Sequence, residues 1–253
     1  MKRYWLLKDY IQGDQVLLEG ETFHHIHRVC RNDVGSKFEV LVGANKAYFV
    51  ELKEVGKKKG WAQILETRKI EPLRTPHIHL ALSIPRFHKM DWIIEKAVEL
   101  GAAQLHPFVS ENSFVRKIDG QLTRRRSRWE KIVQGATQQS GRGELMGISE
   151  PCTLDQLLER FNQQASCRGL FPYEGVAPVC LAEEMENQKK SADFSSIKSF
   201  WIFVGSEGGF SLSEVERFKE VGLSPVTMGE QILRVDTACV ALLSVIKYEL
   251  GLM

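Results

Sequence analysis

The fold is decided by the stretch Ser199-Phe-Trp-Ile-Phe-Val-Gly-Ser-Glu-Gly-Gly-Phe-Ser-Leu-Ser-Glu214. After the serine come five apolar or aromatic residues, a pattern typical of a buried strand. Gly205 and the pair Gly208-Gly209 then free the backbone to turn sharply and to approach a ligand closely. Ser211 and Glu214 form a Ser-x-x-Glu capping box, which predicts a helix N-terminus. Strand, glycine loop and helix in this order predict an α/β protein with a small-molecule site at a strand's carboxyl end.

Glu207, inside the loop, indicates which ligand the loop prefers. A phosphate cradle uses backbone N–H groups, often with a lysine, and a neighbouring carboxylate would repel the phosphate. The loop also lacks the Gly-x-Gly-x-x-Gly and Walker spacings. A carboxylate here favours a ligand that is cationic or rich in donors. The alternative is a tight strand-to-helix turn with a solvated Glu207, and the loop by itself leaves both interpretations open.

Composition bounds the class of protein. The chain has 253 residues, 43% of them hydrophobic, and a formal net charge of +2, so we expect one or two globular domains. Residues 111–142 carry eight basic and three acidic side chains, a plausible phosphate-binding footprint. The alternative is a solvated basic helix face.

Other patterns exclude several classes. The five cysteines show no metal-ligand spacing, and their odd number favours reduced thiols in a cytoplasmic protein. His24, His25 and His27 lack an acid or cysteine that would complete a metal shell, so we expect no metal. The chain shows neither a signal-peptide core nor an apolar run long enough to span a membrane.

Hydrophobic patterning divides the chain into two domains. Short strands up to residue 72 predict a small antiparallel barrel, interrupted by a helix over 21–31. The segment Glu71-Pro-Leu-Arg-Thr-Pro76 is the candidate linker. From His77 strands alternate with helices, which predicts a parallel sheet. The helices expected in this second part span 89–100, 127–139, 213–221 and 237–250.

A second sequence block near the C-terminus gives further information on the class of protein. It reads Met228-Gly-Glu-Gln-Ile-Leu-Arg-Val-Asp-Thr-Ala238. With the glycine loop, it resembles the signature of the SPOUT methyltransferases, and most closely the family that methylates N3 of one uridine in 16S ribosomal RNA. The blocks Lys89–Gly101 and Trp129–Arg142 are also similar to that family, as is a His-x-x-Arg-Val-x-Arg element at His25–Arg31.

The resemblance implies a fold, a cofactor and an acceptor. The expected domains are a PUA-like RNA-binding barrel over 1–72 and a SPOUT α/β domain over 73–253, whose C-terminal segment is threaded into a knot. S-adenosylmethionine is the expected methyl donor, and its sulfonium cation suits a loop that carries a carboxylate. The expected partner is 16S ribosomal RNA or the small ribosomal subunit. The residues expected to bind the donor are Val204, Gly205, Glu207, Gly208, Gly209, Met228, Gly229, Ile232, Leu233, Arg234, Thr237 and Ala238.

Catalysis at uracil N3 needs a base, or positive charge that stabilises the uracil anion, because this nitrogen loses its proton only well above neutral pH. Arg234 is the first candidate for that charge, and Asp236 is expected to orient it by a two-oxygen pairing. The alternative is a local ion pair that only holds the loop. Arg142 is a second candidate for contacting the target base or its phosphate. Glu174, at a strand's carboxyl end, is a further catalytic candidate.

Basic residues in both domains are expected to contact RNA, since N3 lies on the Watson–Crick edge and the target must be unpaired or swung out. The candidates are Arg28, Arg31, Arg116, Lys117, Arg124, Arg125, Arg126 and Arg128. The last helix is apolar on nearly every side, which predicts that it is covered all round and that the protein forms a homodimer.

Four residues depart from the family pattern: Ser206 for proline, Val235 for threonine, Asp236 for glutamate and Ser140 for cysteine. Ser206 is expected to loosen the glycine loop. These departures leave two other hypotheses open. One is a SPOUT enzyme for a different RNA, and the other is an RNA-binding assembly factor whose donor site is vestigial.

Overall fold

The computed structural model describes residues 2–43, 45–175 and 177–253. Contacts divide the chain into two compact units, and the division falls at Pro72/Leu73. The segment Gln134–Leu145 clusters with the first unit, although the sequence-based boundaries assign it to the second domain. Within the first unit, the Gln134 side chain donates a hydrogen bond to the Trp5 carbonyl (3.3 Å). The sequence gives no sign of this association, because residues 134–140 continue a helix that begins at Gly120 in the second unit.

The first unit is built on a curled sheet. In the described residues its strand order is β1-β4-β5-β6-β3-β2. The strands are β1 (Arg3–Trp5), β2 (Ile11–Gln12), β3 (Gln15–Glu19), β4 (Lys37–Leu41), β5 (Lys46–Val55) and β6 (Lys59–Lys69). The predicted antiparallel pairing holds for the described pairs except β1–β4, which is parallel. The helical turns between β3 and β4 supply the crossover that a parallel pair requires.

One face of this sheet forms the core of the first unit. Alternate side chains of the strands, such as Val16 and Leu18 or Val50 and Leu52, are fully buried. The helix predicted over 21–31 consists of α1 (Gly20–Phe23) and a wider π-helical segment, His24–Val29. Phe23 and Ile26 from these two pieces pack into the same core.

The second unit is a parallel sheet with flanking helices, as predicted. Its order in the described residues is β10-β8-β7-β13-β11-β14-β12, with β9 beside β8. The strands are β7 (His77–Ser83), β8 (Gln104–Val109), β9 (Gly147–Ile148), β10 (Cys152–Thr153), β11 (Cys167–Pro172), β12 (Val179–Cys180), β13 (Ser199–Val204) and β14 (Pro225–Thr227). The helices are α2 (Phe87–Glu99), α3 (Gly120–Ser140), α4 (Leu154–Gln163), α5 (Leu181–Lys189), α6 (Leu212–Glu220) and α7 (Val235–Glu249). Two further short 3₁₀ turns lie at Lys8–Tyr10 in the first unit and Phe194–Ser196 in the second.

Several helix predictions need correction. Helix α3 begins at Gly120 rather than Ser127, because arginine is a good helix former and the basic run continues the helix. Helices α4 and α5 escaped prediction, although Thr153 and Gln156 form a capping box at the start of α4. The cover predicted all round helix α7 includes a second copy of the chain and stays a prediction. Within the chain, α7 buries one face, while Val245 and Tyr248 are exposed.

The register of the central strands positions the site. Strand β13 is buried at every position and pairs in parallel with β7 on one side and β11 on the other. Strand β11 continues past β13 to pair with β14. The carboxyl ends of β13, β11 and β14 are therefore neighbours at one edge of the sheet, where parallel sheets place their ligands.

Candidate functional site

The glycine loop connects β13 to α6 by a tight turn. The Gly209 N–H donates to the Ser206 carbonyl (3.0 Å), and Gly209 has a φ of +61°. The capping box predicted at the start of α6 is confirmed: the Ser211 side chain accepts from the Glu214 N–H. A Cβ on Gly205 would lie 3.2 Å from the Gly209 backbone, so the lack of a side chain on Gly205 lets the turn close this tightly.

Neighbouring elements hold this loop in place. Ser206 donates its hydroxyl to the Asn112 carbonyl (2.7 Å), and the Asn112 side-chain amide donates to the Gly208 carbonyl (3.1 Å). The Arg86 N–H donates to a Glu207 carboxylate oxygen (3.3 Å). The expectation that Ser206 loosens the loop is therefore wrong, because its buried hydroxyl ties the loop to the segment after β8.

The second loop, residues 228–234, leads from β14 to α7. Thr227 Oγ1 accepts from the Gly229 N–H (3.3 Å) and donates to the Gly229 carbonyl (3.1 Å). Gly229 has a φ of +113°, a backbone conformation that favours glycine. Arg234 is the extended residue that precedes α7, which begins at Val235, two residues earlier than predicted.

The two loops enclose a cavity of about 300 Å³. Its wall also includes Lys89 from α2 and the exit of β11 at Pro172, Tyr173 and Glu174. The lining residues that the sequence pattern predicts for donor binding are Val204, Gly205, Glu207, Gly209, Met228, Gly229, Ile232, Leu233, Arg234 and Ala238. Gly208 and Thr237 are also predicted and do not line the cavity. The roles of all these residues stay predictions.

Charges of both signs line this cavity. Its wall carries three carboxylates, Glu174, Glu207 and Glu230, and two cations, Lys89 and Arg234. Gly209 lies so close to Glu174 that a Cβ at this position would overlap the carboxylate. Because Gly209 has no side chain, the Glu174 carboxylate can occupy the space beside the loop.

Lys89 lies between the glycine loop and the first turn of α7. Its ammonium nitrogen lies 3.6 Å from Glu207 Oε1 and 3.9 Å from Asp236 Oδ1. The predicted pairing of Arg234 with Asp236 is absent from the ion pairs of the described residues. Arg234 precedes the helix in an extended conformation, whereas Asp236 lies in the first helical turn and faces Lys89.

Lys89 is a site residue that the sequence pattern does not reveal, although it begins one of the family-like blocks. It lies in the first turn of α2, and its side chain is only 20% exposed. A lysine next to the buried Met90 and one turn before the buried Ile93 is typical of the surface of an amphipathic helix. Its partners are more than a hundred residues away in the chain, so local pattern contains no signal for the contact.

Arg142 belongs to the first unit. Burial lowers the pKa of its guanidinium to about 10, and the nearby Glu144 acts in the opposite direction. The side chain therefore stays charged at neutral pH. Its proposed contact with the target base stays a prediction.

The basic residues proposed for RNA fall into two environments. Arg28, Arg31, Arg116, Lys117, Arg124 and Arg128 are exposed, and Arg125 and Arg126 are half-buried. Arg126 and Arg128 form ion pairs inside the second unit, Arg126 with Glu130 and Glu150, and Arg128 with Asp91 (2.8 Å). The described residues include no group of three or more His, Cys, Asp or Glu side chains arranged to hold a metal ion. In the same part of the chain, no helix combines the length and apolar character needed to cross a bilayer.

The chain combines a PUA-like sheet with a parallel sheet whose neighbouring carboxyl-end loops enclose a cavity, the arrangement expected of the SPOUT α/β methyltransferases. Residues 71–247 match the model of an RNA methyltransferase domain, and residues 18–65 match that of an RNA methyltransferase PUA domain. The chain belongs to this RNA methyltransferase family. The fold class predicted from the sequence is confirmed.

Individual relatives span the whole chain. Ribosomal RNA small subunit methyltransferase E of Bacillus subtilis is 30% identical over 100% of this chain and 98% of its own length. A crystal structure of Ribosomal RNA small subunit methyltransferase E from Neisseria gonorrhoeae bound to S-adenosyl methionine has a TM-score of 0.83 and 25% identity, covering 98% of this chain and 97% of that one. A Legionella pneumophila methyltransferase structure in complex with the same cofactor has a TM-score of 0.82 and 25% identity over 97% and 96% of the two chains.

Proposed function

We propose that this protein uses S-adenosylmethionine to methylate N3 of a specific uridine in 16S ribosomal RNA. The observation that carries the proposal is the cavity formed where β13, β11 and β14 end, lined by both loops of the C-terminal signature. The names of relatives that align over the full chain support the ribosomal RNA substrate. The N3 position rests on the resemblance of the signature blocks.

The cavity suits the donor. S-adenosylmethionine supplies a methyl group activated by a sulfonium cation, and the carboxylates of Glu174 and Glu207 give the wall acceptors for a cationic, donor-rich molecule. The Ile232 side chain lines the cavity and is 76% exposed, so a bound adenine ring would cover an apolar surface that now faces water. Gly205 and Gly209 bring backbone polar groups within reach without side-chain obstruction.

The proposed catalysis depends on positive charge at the cavity. Arg234 is exposed and lines the cavity beside Val235 and Ala238 at the start of α7. We assign it the stabilisation of the uracil anion as the N3 proton leaves. Lys89 has a different, positioning role, because it lies between Glu207 of the glycine loop and Asp236 in the first turn of α7, directly after the second loop. Asp236 acts through Lys89 rather than through Arg234.

The target base must leave its helix to reach this cavity, because N3 lies on the edge used for Watson–Crick pairing. The exposed arginines of both units supply phosphate contacts that hold the RNA while the base is extruded. We further propose a homodimer, since Val245 and Tyr248 leave an apolar strip of α7 exposed. Sedimentation that shows a monomer at micromolar concentration would contradict the dimer alone.

Mass spectrometry of nucleosides from small-subunit RNA tests the function. Deletion of the gene should abolish 3-methyluridine in 16S ribosomal RNA, and the wild-type gene should restore it. A primer-extension stop should disappear at the same uridine. If the deletion strain keeps its 3-methyluridine and loses another methylated nucleoside, the protein is a SPOUT enzyme with a different target. If no nucleoside changes and the purified protein gives no heat with the donor, the assembly-factor hypothesis is correct.

A further inference from the structure

Two aromatic side chains and an arginine form a cluster on the surface of the second unit. The rings of Phe87 and Phe114 meet edge to face, with centroids 6.0 Å apart and an interplanar angle of 84°. The Arg125 guanidinium lies over the Phe87 ring, 4.2 Å from its centroid. We call these three residues the aromatic platform.

Packing inside the described chain does not account for Phe114. Its side chain is 56% exposed, and Ile118, four residues on, is 46% exposed. The buried face of α2 is formed by other residues, Met90, Ile93, Ile94, Ala97 and Val98. A large aromatic side chain left in water beside a stacked guanidinium is typical of a surface that receives another ring.

The segments that carry the aromatic platform are hydrogen-bonded to the glycine loop. Phe87 directly follows Arg86, whose N–H donates to Glu207. Phe114 lies two residues after Asn112, which bonds to both Ser206 and Gly208. Each ring is thus carried by a segment that is anchored to the loop lining the cavity.

The charge around the aromatic platform matches a nucleic acid. Arg86, Arg116, Lys117 and Arg124 are exposed on the segments that carry the two rings and Arg125. Arg116 uses one guanidinium nitrogen to donate to the Glu111 carbonyl (2.6 Å), which holds its charge near this surface. Aromatic rings interleaved with cations form the usual platform for unpaired bases, since the rings stack the bases and the cations meet the phosphates.

We propose that the aromatic platform stacks an unpaired base of the RNA substrate next to the nucleotide that enters the cavity. Phe114 provides the free ring face, and Arg125 holds Phe87 in position and adds a planar cation. The platform would hold the strand beside the cavity after the target base has been extruded. This inference rests on the proposed function, because it requires an RNA substrate.

Steady-state methylation of small ribosomal subunits purified from a deletion strain tests the aromatic platform. Phe114→Ala should raise the KM for subunits about tenfold, the effect of losing one stacked base. The kcat and the dissociation constant for S-adenosylhomocysteine should not change. Phe114→Tyr should keep the wild-type KM, and Phe114→Leu, which is apolar but cannot stack, should behave like Phe114→Ala.

Trp92→Ala is the matched control. Trp92 is also an exposed aromatic residue of α2 with a cation, Lys96, 6.0 Å above its ring, but it is not part of the aromatic platform. The Trp92→Ala variant should have the same KM for small ribosomal subunits as the wild type. A wild-type KM in Phe114→Ala, or equal KM values for the Leu and Tyr variants, would overturn the inference. A change of sedimentation in Phe114→Ala would instead identify the surface as a contact between copies of the chain and also overturn it. Failure of the proposed function is distinguishable, because the wild-type protein would then not methylate the subunits.

Discussion

The two loops that enclose the cavity differ in how they are held. The glycine loop, residues 205–210, is tied by side chains or backbone of Arg86, Asn112 and Lys89. In the described residues, the hydrogen bonds of residues 228–233 are local and join Gly229 to Thr227. We call the first loop, which several neighbouring segments hold, the fixed wall, and the second loop, whose apolar residue Ile232 is exposed, the compliant wall. Donor binding should therefore use the first wall as a template and order the second.

Replacing Gly209 should break the fixed wall and give the largest effect. Gly209→Val forces a branched residue into a left-handed conformation, which costs roughly 1–2 kcal/mol, and places a Cβ against the Glu174 carboxylate. We expect the dissociation constant for S-adenosylhomocysteine to rise on the order of 100-fold, or about 2.8 kcal/mol, by calorimetry.

Gly222→Val is the control for the backbone strain that a branched residue causes at a positive φ. Gly222 also has a positive φ, +78°, but a Cβ added there would have no atom within 4 Å, and the residue is outside the cavity. This variant should lose stability and keep the wild-type dissociation constant. Equal ligand affinity in the two variants would show that the glycine loop is not the donor wall.

Removing Lys89 should uncouple the fixed wall from the start of α7, which follows the compliant wall. Lys89→Met leaves Glu207 and Asp236 without the cation that they share, so the glycine loop and the start of α7 should separate and kcat should fall about 30-fold, or about 2 kcal/mol. Lys89→Arg should restore much of the rate, and the KM for RNA should change little. Lys96→Met is the control, since Lys96 also pairs with two carboxylates on α2, Glu95 and Glu99. An equal loss of kcat in both variants would contradict the coupling role.

Acid should weaken the sheet that carries the fixed wall. His106 in β8 stacks on Trp201 of β13, with ring centroids 4.2 Å apart, and its Nε2 lies 3.2 Å from His79 Nδ1. Burial, with smaller effects from His79 and Arg160, lowers the pKa of His106 to about 3, and burial with His77 lowers the pKa of His79 to about 4.

The direction of this pH effect follows from comparison with the unfolded chain, where the pKa of histidine is near 6.5. Below that pH the unfolded state binds more protons than the folded state, so the free energy of unfolding should fall as the pH drops from 7 to 5. His106 alone should contribute up to about 2 kcal/mol of this loss. His106→Phe keeps the stacked ring and should show a smaller loss in urea titrations at the two pH values. An unchanged pH dependence in this variant would contradict the assignment.

Shortening Ile232 should have the smallest effect, on the compliant wall. Ile232→Ala should raise the donor dissociation constant about fivefold, since the adenine would lose an apolar neighbour worth roughly 1 kcal/mol. The thermal midpoint should not move, because the side chain is exposed without ligand. Leu212→Ala removes an equally exposed apolar side chain, 75% against 76%, from the start of α6 and should leave affinity unchanged.

Most of the architecture can be predicted from local sequence patterns. The apolar run Ser199–Val204, the capping box at Ser211 and the glycines of both loops predicted the strand, the helix and the site between them. The contacts of Ser206 and Lys89 were out of reach, because each joins segments about a hundred residues apart that only the register of β7, β8 and β13 brings together. The association of residues 134–145 with the first unit also depends on tertiary contacts, such as the hydrogen bond from Gln134 to Trp5, which no local pattern in the helix or after it indicates.

A crystal structure with S-adenosylhomocysteine tests the central claim most directly. We predict the ligand in the cavity, against an unchanged backbone at residues 205–210, with residues 228–234 shifted towards the adenine. A ligand located elsewhere, or a glycine loop that rearranges while the second loop stays in place, would contradict the account.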